Sequence, residues 1–205
     1  MISRVYRPKG AFKPTFKALR SRLEADTVRS IALEASELYA YFMKRHRDLN
    51  TLTRMHYQQC CERAALYLTV KRYFPARAME LIDLSVKESC ERIGRSVNRS
   101  LRLPAFRRNF FSIMMFVAMN VFGTRGGFKS RAVSRTKDEA RFDVLECPYC
   151  KFLAELGCPE LTANFCKSDE YSYGSLDGIA FERTQSLGTG GTMCDFCMRR
   201  KSDRT

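Results

Sequence analysis

The chain has 205 residues, 45% hydrophobic and 28% charged, with 36 Lys and Arg against 22 Asp and Glu for a net charge of +14. That apolar share excludes a disordered basic tail and supports one packed domain with at most a small appendage. The longest apolar run, Phe110 to Phe122, has 13 residues. About 20 are needed to cross a bilayer, so no integral membrane body is expected.

Charge and cysteine divide the chain unequally. Residues 1–139 hold 28 basic and 12 acidic residues, a net of +16, whereas residues 140–205 hold 8 and 10, a net of -2. Six of the nine cysteines fall in the second part. The sequence therefore reads as a basic arm over residues 1–24, a helical region over 25–139 and a Cys-rich α+β region over 140–205, the last two forming one compact unit.

In chain order, the arm carries Pro8, Gly10 and Pro14 and no sustained period. Ile31, Ala35, Leu38, Tyr39 and Phe42 recur at helical steps and predict a helix from Asp26 to about His46, capped by Asp26 or Thr27. A second helix is predicted from Thr51 to Phe74 and stopped by Pro75. A third starts at Pro75 and runs through Leu81, Ile82, Val86 and Cys90, with Gly94 weakening its far end. Pro104 separates it from the Phe110 segment, read as a buried helix. Residues 123–141, rich in Gly, Ser and Arg, read as a linker or loop. Beyond it come a strand over Arg141 to Glu146 and helices over Pro148 to Leu156 and Leu161 to Tyr173. Alternation over Ile179 to Leu187, glycines at 188, 190 and 191, and a strand over Met193 to Arg199 predict a hairpin.

The expected architecture is α+β: an N-terminal layer or bundle of three to four helices packed on a small C-terminal antiparallel sheet with short helices. A pocket is expected between them, near the cysteines.

An odd cysteine count, adjacent Cys60 and Cys61 in a helical pattern, and no signal-type apolar region after Met1 point to a reducing, cytoplasmic compartment. The acid-free stretch up to Leu23 fits a solvated arm, or a transit peptide and an organellar location. The basic region could meet phosphates of nucleic acid or an acidic membrane surface, but no nucleic-acid-binding signature accompanies the charge. Self-association is compatible with the sequence.

Cys147-x-x-Cys150 and Cys194-x-x-Cys197 have the form of a zinc ribbon. The gap of 43 residues between the pairs is long. Cys194 and Cys197, three apart in a strand, also point to opposite faces unless a bulge intervenes. Zinc, or an iron-sulfur cluster on three cysteines, stays open as a cofactor. His46 and His56 are the two histidines; both read as residues on a helix surface. Near the cysteines lie Glu155, Asp169, Glu170 and Asp195. Cys166 and Asp169 share a helix face; a carboxylate there raises a thiol's pKa rather than activating it, so Asp169 suits a cationic substrate group or a base toward water. The glycines of GTGGT lack the spacing and Lys of a phosphate loop and fit a turn.

FDVLECPYCKFLAELGCPELTANFCKSDEYSYG, followed by FERTQSLGTGGTMCDF, resembles the L-2-amino-thiazoline-4-carboxylic acid hydrolase family. The pattern matches at Cys147, Glu155, Gly157, Pro159, Glu160, Leu161, Cys166, Asp169, Arg183, Thr184, Cys194, Asp195 and Phe196; the helical part matches only in character. Cys150, Cys158 and Cys197 depart from it. The resemblance implies a small sulfur- and nitrogen-containing substrate, with hydrolytic opening of a five-membered ring to an N-carbamoyl-cysteine-type product. On residue chemistry, Cys166 is the expected nucleophile, Asp169 the partner of the amidinium and Arg183 the partner of the substrate carboxylate. Cys147 and Cys194 complete the catalytic set, and Thr184, Glu155 and Asp195 join Arg183 around the substrate. A metal on Cys147, Cys166 and Cys194, or on Cys150 and Cys197, is the competing arrangement, and a Cys-rich metal-binding protein without catalysis is the rival function.

Overall fold

The structure, a computed structural model, describes residues 12–202; the first 11 residues of the basic arm and the last three residues of the chain lie outside them. Helices α1 (Phe12–Arg20), α2 (Ala25–Phe42), α3 (Thr51–Tyr73), α4 (Ala78–Leu101) and α5 (Pro104–Asn120) come first. Strands β1 (Lys129–Arg135) and β2 (Glu139–Glu146) follow, then helices α6 (Pro148–Glu155) and α7 (Leu161–Tyr173), then β3 (Ile179–Glu182) and β4 (Cys194–Arg200). The expected α+β architecture is the observed one.

Local chemistry explains most boundaries. Asn50 caps α3, its Oδ1 accepting from the N–H groups of Leu52 and Thr53, both at 3.0 Å. Pro75 then ends that helix's reach, and Pro104 opens α5 at a position where a missing N–H costs nothing. α2 is shorter than its periodicity suggests, ending at Phe42, and Asp26 lies in its first turn rather than at the cap. α4 begins at Ala78, not at Pro75.

Part of the predicted arm is helix α1, whose Phe16 and Leu19 are each 1% exposed in the first core. The predicted linker also folds: its residues form β1 and the start of β2, which pair antiparallel with irregularities between Lys129 and Ser130 and between Ala132 and Ser134. The sheet order is β1-β2-β4-β3 and every pairing is antiparallel. The predicted hairpin is β3 with β4, but β3 leaves the ladder at Glu182. Beyond it, Asp195 Oδ1 accepts the N–H groups of Thr184 and Gln185 at 3.0 and 2.8 Å, drawing the chain out of register into the loop.

Two apolar cores result. One joins α1 to α4 with α6 and α7; the other joins α5, the inner face of the sheet and Leu176. Phe110 and Phe111 are each 1% exposed, so the apolar run is a core helix as expected. Among the described residues no helix is long and apolar enough to cross a membrane. Tyr149, on α6, packs against both cores.

Gly94 does not weaken α4. The helix runs through it to Leu101, and a Cβ there would lie 2.6 Å from the Ser172 carbonyl oxygen on α7. The absent side chain lets the two helices touch backbone to backbone. Gly94→Ala is therefore expected to destabilise the protein by about 1–3 kcal/mol despite alanine's better helix propensity, read from urea unfolding. A stabilised variant would show that α4 and α7 do not meet there.

Candidate functional site

Between the two cores lies a cavity of about 290 Å³. Alternation along the strands builds its floor: Phe142 and Val144 of β2 and Cys194, Phe196 and Met198 of β4 face it, while the residues between them face outward. Phe142 and Phe196 are cross-strand partners, with rings stacked at 4.9 Å and 11°. Helices α3, α4, α5 and α7 supply the other walls. The lining is mostly apolar, with a few polar groups converging on it.

On the α7 side those groups are Cys166, Asp169 and Arg183. The Arg183 side chain is 6% exposed and fully engaged: it donates to Asp169 Oδ2 at 3.0 Å, Glu170 Oε1 at 2.7 Å and the Cys166 carbonyl at 3.1 Å. It also lies 5.5 Å from the centre of the Phe196 ring. Burial pushes the Asp169 carboxyl up to about 7, with Arg183 pulling the other way. Burial likewise raises the Cys166 thiol, against hydrogen bonds from the Ser186 hydroxyl and the Gly188 N–H. A Cβ on Gly188 would stand 2.7 Å from the Cys166 sulfur and 2.8 Å from Thr162 Cγ2. The glycine, placed by sequence in a turn, lets this loop close over α7.

Arg63 of α3 lines the cavity where α3 packs on α7. Its guanidinium stacks 3.7 Å above the centre of the Phe165 ring and donates to two neutral acceptors, Asn164 Oδ1 at 3.3 Å and Ser168 Oγ at 3.2 Å. Among the described residues it makes no ion pair within 4 Å, in contrast to Arg183. Tyr149 completes this wall. Its hydroxyl lies 2.8 Å from Nδ1 of His56, while Nε2 of that ring lies 2.9 Å from the Val121 carbonyl. A carbonyl only accepts, so Nε2 carries the proton and Nδ1 accepts from the tyrosine. Burial lowers the His56 pKa and keeps the ring neutral.

A sequence model of the L-2-amino-thiazoline-4-carboxylic acid hydrolase family matches residues 53–198, from the start of α3 through nearly all of β4. The chain belongs to this family. No curated protein and no solved structure matches it.

The hydrolase-family positions divide into two groups in space. Cys147, Cys166, Cys194, Asp169 and Arg183 all line the cavity, so three cysteines far apart in sequence do meet around one space. Asp169 and Arg183, matched by sequence to opposite ends of a substrate, pair with each other. Glu155, Thr184 and Asp195 do not line the cavity. Glu155 stands at the end of α6, its Oε2 2.9 Å from Nε2 of His46, and its carbonyl accepts from Arg45. Asp195 points from the outer face of β4 and holds the loop after β3. Burial works against its charge, but the Thr184 hydroxyl and the two loop N–H groups keep its carboxyl below the usual range. Its partner Thr184 is occupied by the same contact.

The metal arrangements find no ligand cluster: among the described residues no three His, Cys, Asp or Glu side chains are grouped to hold a metal ion. Cys194 accepts from the Leu187 N–H at 3.3 Å, and Cys197, on the outer face, lies 4.0 Å from Glu139 Oε2. The two point to opposite sides of β4, as their spacing predicts, so both cannot serve one cavity-side ion.

Sequence reading missed Arg63, Tyr149 and His56. His56 is not a surface residue but 0% exposed. The signal was present: positions 56, 60 and 63 follow i, i+4, i+7 spacing and share one face of α3. A cation on a buried helix face is a stronger pointer to a ligand than any residue of the cysteine motifs.

Proposed function

We propose that the protein hydrolyses a small cyclic amidine that carries a carboxylate, of the thiazoline type named for its family, to an N-carbamoyl-cysteine-type product. The observation that carries the proposal is one cavity lined by two groups of opposite charge: Arg63, which makes no ion pair among the described residues, and the tuned carboxyl of Asp169. Arg63 takes the substrate carboxylate, because Arg183 is consumed by Asp169, Glu170 and a backbone carbonyl. Arg183 holds Asp169 in place. A carboxyl that titrates near 7 is poised to take a proton from water at neutral pH and return it.

Water then attacks the amidine carbon, the ring carbon–sulfur bond breaks, and the sulfur leaves as a thiol. One water proton ends on the ring nitrogen and the other on the sulfur. Direct attack by the Cys166 sulfur is a second reading, supported by the Ser186 and Gly188 hydrogen bonds to it. Burial keeps that thiol protonated, which favours water.

The cavity volume equals roughly ten water volumes, whereas an amino-thiazoline acid fills about five. The apolar walls supplied by α5 and the sheet suit a further apolar substituent on the substrate. The test is to incubate the protein with the thiazoline acid and with an aryl-substituted analogue, following the released carbamoyl thiol by mass spectrometry. Ring opening of both, with a lower KM for the analogue, is expected. Failure to open either defeats the hydrolase proposal, and a lower KM for the unsubstituted acid defeats the extended substrate.

A further inference from the structure

The turn from β2 into α6 reads Cys147-Pro148-Tyr149-Cys150. Cys147 is the N-cap of α6, and Cys150 closes the first turn, its N–H donating to the Cys147 carbonyl at 3.2 Å. Residues three apart in such a turn bring their Cα atoms within the span that a disulfide bridges. The side chains follow the backbone, since the Cys147 thiol hydrogen-bonds the Cys150 sulfur. Both keep partial exposure, whereas Cys60, Cys61 and Cys158 are 0% exposed in the core. Of the pair, Cys147 faces the cavity and Cys150 does not, and Cys150 is one of the cysteines that depart from the hydrolase pattern. The hydrolytic site thus leaves Cys150, and its pairing with Cys147, unexplained.

We propose that Cys147 and Cys150 are a redox-active dithiol that reduces low-molecular-weight disulfides by thiol–disulfide exchange, closing a disulfide at the edge of the cavity. Cys150 is the attacking sulfur. It is the member lying off the cavity wall, and the hydrogen bond from Cys147 lowers its pKa to about 7 while raising that of Cys147. In the first step the Cys150 thiolate attacks one sulfur of the external disulfide, forming a mixed disulfide and expelling one thiolate. That leaving thiolate takes the Cys147 proton. The Cys147 sulfur then attacks Cys150, forming the intramolecular disulfide and expelling the second thiolate, which is protonated by solvent. The protein loses two electrons and two protons, and one disulfide becomes two thiols.

The inference does not depend on the hydrolase proposal, and its test does not read turnover. The reduced full chain is incubated with glutathione disulfide at pH 7, quenched by alkylation and mapped by peptide mass. A Cys147–Cys150 disulfide is expected in the wild type. Cys147→Ser should stall as a glutathione adduct on Cys150, and Cys150→Ser should form neither product, with far-ultraviolet circular dichroism confirming the fold of each. Alkylation of Cys150 by iodoacetamide at pH 7 should also run roughly five- to tenfold faster than that of an unperturbed thiol, its larger thiolate fraction outweighing its lower nucleophilicity. Absence of the intramolecular disulfide, or a Cys147→Ser adduct that appears on other cysteines and not on Cys150, overturns the proposal.

Discussion

Asp169→Asn is expected to lower kcat/KM for ring opening by about 100- to 10,000-fold, the range for loss of a positioned general base. The substitution keeps the side chain's shape and one acceptor for Arg183, so a loss of this size reports the missing proton acceptor rather than a collapsed wall. In the wild type, kcat/KM should rise with pH and level off above about 7, where burial places the Asp169 carboxyl; the residual activity of the variant should lack that limb. The same shift has a stability signature of opposite direction. The folded carboxyl holds its proton up to about 7, whereas an unfolded aspartate loses it near 3.8. Between those values the folded state binds more protons, so wild-type stability falls as pH rises through this window. The stability of Asp169→Asn relative to wild type should therefore grow from pH 4 to pH 8. If that difference is independent of pH and the activity limb survives in the variant, Asp169 is not the tuned group. Should Cys166→Ala abolish turnover while Asp169→Asn keeps most of it, the sulfur and not water is the attacking atom.

The elements that were legible in the sequence are those whose boundary chemistry and apolar period agree. α7 is read at its observed limits, and α3 lies between Asn50 and Pro75, a cap and a breaker. β1 was not legible because KSRAVSR has no apolar alternation: it is an exposed edge strand, held by backbone pairing to β2 rather than by a buried face. α1 was hidden by Pro14 and by a run of Lys and Arg, which the first turn and the solvent side of a helix tolerate. At the site, motif positions were legible but their roles were not. Cys147, Cys166, Cys194, Asp169 and Arg183 face the cavity, while Glu155, Thr184 and Asp195 hold helix ends and a loop. A motif records both kinds of residue alike. Which is which depends on strand parity, readable for Cys194 and Asp195 as neighbours on β4, and on long-range pairing, which is not readable. Arg63 escaped because it comes from the helical region, where no motif position could be matched by reading alone although the family model extends over it, and because a lone arginine in a basic helix reads as solvated.

Arg63→Met should raise KM for the thiazoline acid by about 10- to 100-fold with kcat changed only a few-fold, which corresponds to the roughly 1.5–3 kcal/mol of a hydrogen bond to a charged group. Methionine puts a thioether of similar reach in place of the guanidinium above Phe165, so the packing of α3 on α7 survives. The variant should also be at least as stable as the wild type. A guanidinium whose pKa burial lowers, and whose partners are a neutral amide and a hydroxyl, carries a desolvation cost that no carboxylate offsets. Arg183→Met should behave oppositely, losing stability, because it strands the buried end of Asp169 and removes a bond to the Cys166 carbonyl. The charge itself is isolated by pairing the variant with an uncharged ester of the substrate. If Arg63 holds the carboxylate, wild type and Arg63→Met should bind the ester equally, and the two losses should fail to add. Equal and additive losses would place the carboxylate elsewhere, and a large drop in the stability of Arg63→Met would make Arg63 a strut of the α3–α7 interface rather than the anion anchor of the cavity.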